Sequence, residues 1–173
     1  MEGAISSFIL VILTIILALG IFAFASFYLS AQAVSAETIN EAQNIANGFY
    51  IQMTPQTIVN NNYSFAISLK NFNYNGTLYM TIFYYDKSLY GNPYITPEFS
   101  KGWGILNGTT GKTYDIEIYS ISLSSLYQGQ IKLWELSSNS IFNVSFPSNY
   151  DGILLILSYL NGKYVEVGYV WLE

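Results

Sequence analysis

Two hydrophobic periods divide this 173-residue chain. From Gly3 to Ala36 there is no charged residue, and Ala4 to Leu29 is apolar on every face except at Ser6, Ser7, Thr14, Gly20 and Ser26. A helix of that composition is surrounded by lipid or by protein on all sides. Hydroxyls are tolerated in such a helix because they bond back to a carbonyl one turn earlier. From Ser30 the run becomes small and polar (SAQAVSAETINEAQNIANGF), but helix formers dominate and no proline occurs before Pro55. The pattern predicts one continuous helix from residue 4 to about Gln52, a helical region of 4–53 ahead of a head at 55–173. Roughly 20 residues at about 1.5 Å each cross the about 30 Å apolar core of a bilayer, so the charge-free stretch is longer than lipid alone requires.

Beyond Pro55 the period falls to two. Phe65, Ile67 and Leu69 alternate with Ala66, Ser68 and Lys70, and Leu78, Met80, Ile82 and Tyr84 form the next alternating set. Ile116 and Ile118 alternate with Asp115 and Glu117, and further strands are expected near Gln130–Glu135, Ser140–Phe146 and Gly152–Leu160. Asn161-Gly162 predicts a tight hairpin into a closing strand, Lys163–Trp171. About seven short strands in one head predict an α+β chain whose C-terminal part is an antiparallel, immunoglobulin-like β-sandwich.

Within the helix, Ala23, Ser26, Ser30 and Ala33 recur at spacings of three, four and three and share one face. Small residues in that arrangement let helix backbones approach closely, which is how helices pair where no hydrophobic drive acts between them. An ordinary single-pass anchor carries similar residues, so the stripe alone does not separate the two.

Composition narrows the chemistry. The chain has no Cys and no His, so thiol nucleophiles, disulfides, imidazole bases and the usual zinc and copper ligand sets are absent. No catalytic residue, cofactor or metal site is expected, and the chain reads as not an enzyme. Its six basic residues are scattered lysines, which excludes the basic stripe that nucleic acid requires. Charged residues are only 10% of the chain, so its polar surface depends little on ionisation, as suits an acidic medium or a glycan coat. Gly111-Lys112-Thr113 resembles the end of a phosphate-binding loop, but position 106, where the first glycine belongs, is Leu106; the segment Asn107–Gly111 reads as a hairpin connection. Asp115 and Glu117 share a strand face without a third oxygen donor, so they read as a solvated face rather than a cation site.

Four N-x-[S/T] sequons fall in the head, at Asn62, Asn75, Asn107 and Asn143. A head this rich in Asn, Ser and Thr generates such triplets by chance. Asn75 and Asn107 occupy expected turns that a transferase can reach, so N-glycosylation is expected at two or more sites, while Asn143 lies within an expected strand. The sixteen tyrosines are mostly in the head, where strand propensity accounts for them better than a dedicated adhesive surface does.

Glu2-Gly3-Ala4-Ile5, an uncharged hydrophobic helix, a polar helical continuation and a C-terminal β head together resemble the archaeal type IV pilins, particularly those of Sulfolobales-like organisms. The resemblance implies a class III signal peptide cut between Gly3 and Ala4, with a leader of Met1-Glu2-Gly3 that contains no Lys or Arg. The glutamate that bacterial pilins carry at the fifth mature position would fall at Phe8, and their helix-melting proline is missing; archaeal pilins typically lack both. Also implied are a membrane-inserted precursor, processing by a prepilin peptidase, and assembly by pilus machinery into a helical homopolymer. Helices would pack in the filament core with glycosylated heads outside, serving adhesion and motility at the cell surface. Two alternatives share these features: an archaellin of a rotating filament, and a single-pass anchor carrying a ligand-binding β-sandwich.

Overall fold

A computed structural model describes residues 2–89 and 95–173, with side chains from Ser7 onward in the helix. One long apolar helix, α1 (Glu2–Asn47), is followed by a sheet-rich region. The chain divides into two compact units, one ending at Glu37 and one spanning Thr38–Glu173, so the last turns of α1 belong to the head.

The helix stops at Asn47, about five residues short of its expected end near Gln52. Two features end it. Gly48 lies where an added Cβ would come within 2.3 Å of Asn71 Oδ1. The residues after it, β1 (Phe49–Met53), instead pair antiparallel with β3 (Asn62–Asn71), setting Ile51 opposite Leu69. Helix propensity over 49–53 is overridden by strand pairing, which half-buries Phe49 and Ile51 and leaves Tyr50 and Met53 exposed.

The remaining strands are β2 (Thr57–Val59), β4 (Thr77–Tyr85), β5 (Gly102–Trp103), β6 (Ile105–Leu106), β7 (Lys112–Tyr119), β8 (Ser125–Ser137), β9 (Asn139–Pro147), β10 (Asp151–Leu160) and β11 (Lys163–Leu172). The strands expected from the sequence match β3, β4 and β7 to β11. The short strands β1, β2, β5 and β6 carry too few residues to show a period. Asn161 (φ 46°) and Gly162 (φ 82°) make the tight β10–β11 turn that the dipeptide predicts.

The strands form two sheets. One runs β1-β3-β9-β6, with β2 also on β3. The other runs β10-β11-β7-β8-β4-β5, and β4 pairs with β10 as well, closing β4, β10, β11, β7 and β8 into a ring. Closure depends on a short parallel contact between β11 and β7, Tyr164 opposite Ile118 and Val165 opposite Tyr119. All other ladders are antiparallel, as expected. The ring differs from an open immunoglobulin-like sandwich because it encloses a core of its own.

Consequently β10 is buried on both faces. Leu154 and Ile156 join Phe65, Ile67, Leu69, Phe142 and Val144 in the core between the sheets, whereas Ile153, Leu155 and Leu157 join Phe83, Ile118, Ile131 and Leu133 in the core of the ring. A strand covered on both sides loses period-two alternation and reads as a continuous apolar run, as ILLIL does here.

Candidate assembly surface

Within its own unit, α1 has no cover. Every residue from Ser7 to Glu37 is exposed, including Phe8, Phe22, Phe24 and Phe27. The helix is long and apolar enough to cross a membrane, with mean hydropathy 3.0 over its most apolar window. The 30 residues from Ser7 to Ala36 extend about 45 Å at about 1.5 Å per residue, against an apolar bilayer core of about 30 Å. Thr14 donates to the Leu10 carbonyl at 2.8 Å and Ser35 to that of Ala31 at 3.1 Å, so these two hydroxyls are satisfied within the helix.

Ala23, Ser26, Ser30 and Ala33 are all exposed on α1, and the 3.6-residue repeat gathers them within about a quarter of the circumference. Their neighbours Phe22, Phe24 and Phe27 are 70%, 74% and 76% exposed. A shallow strip therefore runs between large apolar side chains, the shape into which a second helix inserts its ridge. Gly3 and Ala4 lie within the helical backbone, but their side chains fall outside the described residues, as does the whole of Met1.

The final turns of α1 belong to the head and are held tightly. Ala42 and Ile45 have no exposed surface and sit in the core between the sheets. Three asparagines reach the helix, Asn71 from the end of β3, Asn73 from the β3–β4 connection and Asn161 from the β10–β11 turn. The buried Asn71 donates its amide to the Ile45 carbonyl at 2.8 Å and accepts from the Asn73 backbone N–H at 2.9 Å. Asn73 donates to the Asn44 carbonyl at 2.9 Å, and Asn161 donates to Thr38 Oγ1 at 2.9 Å. Carbonyls at a helix C-terminus have no intrahelical partner; the Asn71 and Asn73 amides add to the local cap, in which Gly48 N–H donates to the Ile45 carbonyl at 3.0 Å. No short-range signal marks Asn71, Asn73 or Asn161 for this role, because their partners lie 26, 29 and 123 residues away.

The four sequons lie in different settings. Asn62 is half-buried at the start of β3, paired with Val59 on one side and Pro147 on the other. Asn143 is exposed on β9 opposite Ala66. Asn107 (φ 49°) and Gly108 (φ 75°) form the expected tight turn, and Asn107 Oδ1 accepts from the Asn143 backbone N–H at 2.8 Å. Asn75 is exposed in the connection between β3 and β4.

Asp115 is exposed and Glu117 partly so, and among the described residues no group of acidic side chains is arranged to hold a metal. Glu117 instead accepts from the Tyr119 hydroxyl, which holds its carboxyl below the usual range. Burial pushes the carboxyls of Glu166 and Asp151 upward. Tyr79, Tyr159 and Tyr164 pack against one another, with the Tyr164 ring centroid 5.2 Å from that of Tyr79 and 4.9 Å from that of Tyr159. The most extensive feature of the described residues is the exposed apolar surface of the helix. Comparison of the chain with protein-family models, with characterised proteins and with solved structures yields no match.

Proposed function

We propose that this chain is the structural subunit of an extracellular filament of the archaeal type IV pilin kind, inserted in the membrane through α1 before assembly and packed helix against helix afterwards. The observation that carries the reading is the full circumference of bare, charge-free helix over residues 7–36, apolar as far as Leu29 and longer than a bilayer core, with a stripe of small residues along it. Burying one Leu- or Phe-sized side chain is worth about 1.5–3 kcal/mol relative to water, so this segment outside a membrane requires neighbours along its whole length. Copies of the same helix are the cover that the chain itself supplies. A contact of that kind between different faces of identical subunits propagates into an open helical polymer where its rotation does not close into a ring. On this reading the head lies outside the cell, and adhesion or motility belongs to the fibre.

Electron micrographs of material sheared from the surface of expressing cells test the reading. Fibres containing this chain are expected. Its recovery only as dispersed, detergent-bound monomers would favour a single-pass anchor and contradict the proposal.

A further inference from the structure

The sheet formed by β1, β2, β3, β6 and β9 carries a single charged residue, Lys70, in a chain with eleven carboxylates and six lysines. The Lys70 ammonium rests over the Phe72 ring, 4.7 Å from its centroid. Ile141 is 78% exposed on this sheet and Phe72, just beyond its edge, 66%. Between them runs a shallow trough of about 910 Å³, lined by Ser68, Lys70, Phe72, Asn75, Asn139 and Ile141. Its walls combine hydroxyls and amides with apolar side chains. A saccharide matches that mixture: its hydroxyls bond to amides and to the Lys70 ammonium, its C–H faces lie on apolar surface, and it brings no charge of its own.

Asn75 is the sequon asparagine that lines this trough. Its Oδ1 accepts from Asn139 Nδ2 at 3.3 Å, and its own amide nitrogen makes no hydrogen bond among the described residues. The other three acceptors are tied down. Asn62 is paired on both sides, Asn107 holds a left-handed turn with its side-chain oxygen engaged, and Asn143 has its backbone N–H and carbonyl bonded to Asn107. An acceptor segment has to leave the surface to enter a transferase, and a connection outside any ladder opens at least cost.

We infer that Asn75 is the preferred N-glycosylation site of the head and that its glycan lies along the trough, covering Ile141 and Phe72. The co-reactant is a lipid-phosphate-linked oligosaccharide. A bond forms between Asn75 Nδ2 and the anomeric carbon, the bond from that carbon to the phosphate oxygen breaks, and the lipid phosphate leaves with the electron pair. One amide proton passes to a base of the transferase. The inference rests on the head lying outside the cell, which cleavage of the head by added protease on intact cells checks independently.

The test is peptide mass analysis of the protein isolated from its own cells. Sugar mass on the Asn75 peptide is expected, with occupancy above that at Asn62, Asn107 and Asn143. An unmodified Asn75, or one less occupied than any of the other three, overturns the assignment. Thr77→Ala should abolish the modification and Thr77→Ser retain it, both with an unchanged melting temperature. Hydroxyl-radical labelling then tests the second half: Ile141 and Phe72 should label several-fold faster in Thr77→Ala than in Thr77→Ser. Equal labelling would show that the glycan does not lie in the trough.

Discussion

Over residues 7–36, α1 exposes Phe8, Phe22, Phe24 and Phe27 by 66% to 76%, whereas Ala42 and Ile45, near the end of the same helix, have no exposed surface at all. The backbone is continuous, but the source of stability is not. Near its end the helix has strands to pack on and asparagine amides to close its carbonyls. Before that, every side chain waits for material from outside its own unit. Helices in proteins owe most of their stability to packing of a face rather than to propensity, so the bare segment implies a cover, of lipid or of other subunits. Substitutions in the two segments should therefore be read by different assays: thermal unfolding for the buried end, assembly for the bare one.

The sharpest contrast comes from truncating the buried end. Ile45→Ala should destabilise the head by about 2–5 kcal/mol, seen as a lower melting temperature, because a filled core position becomes a cavity. Should unfolding be unchanged, the last turns of α1 would not be part of the head's core. Asn71→Ala comes next. It removes the buried amide that reaches the Ile45 carbonyl, leaving that carbonyl with the Gly48 N–H alone, and frees the Asn73 N–H near the surface, at about 1 kcal/mol.

A smaller effect depends on pH. Burial raises the Glu166 carboxyl above its unfolded value, so the native state holds this proton more tightly than the unfolded chain does. The native state therefore gains relative stability at acid pH and loses it as pH rises from the ordinary glutamate range through the raised folded value. Glu166→Gln should accordingly raise the melting temperature at neutral pH, and the gain should shrink toward zero as the medium is acidified below the glutamate range. A gain that persists at acid pH would point to packing rather than ionisation. The smallest effect on the head is expected from the bare end: Phe24→Ala should shift head unfolding by less than about 0.5 kcal/mol, as for surface positions remote from the core.

These regions were unequally legible in the sequence. The bare helix could be read directly, since an uncharged run from Gly3 to Ala36, apolar over most of its length, is stable only under a cover of lipid or protein. Strands β3, β4 and β7 to β11 showed through their alternation or, in β10, through an apolar run bounded by turns. What could not be read depends on contacts distant in sequence. The end of α1 at Asn47 combines a local feature, Gly48, with the amide of Asn71 and pairing with β3, where the surrounding helix formers favoured continuing the helix. Ring closure depends on two parallel residue pairs between β7 and β11, which no period predicts. Among the sequons, turn context in the sequence already favours Asn75 and Asn107 over Asn143, and only strand pairing and side-chain bonds distinguish Asn75 from Asn107.

The central claim is that the small-residue stripe faces a neighbouring helix. Ser26→Phe tests it most directly when membrane-inserted protein and extracellular fibre are quantified from the same cells. In a packed helix bundle, the added ring overfills each repeated contact by about 1–3 kcal/mol, while in lipid phenylalanine is favourable. Normal insertion, a folded head and few or no fibres are expected. Fibre yield and stability equal to those of the unsubstituted chain would contradict the claim.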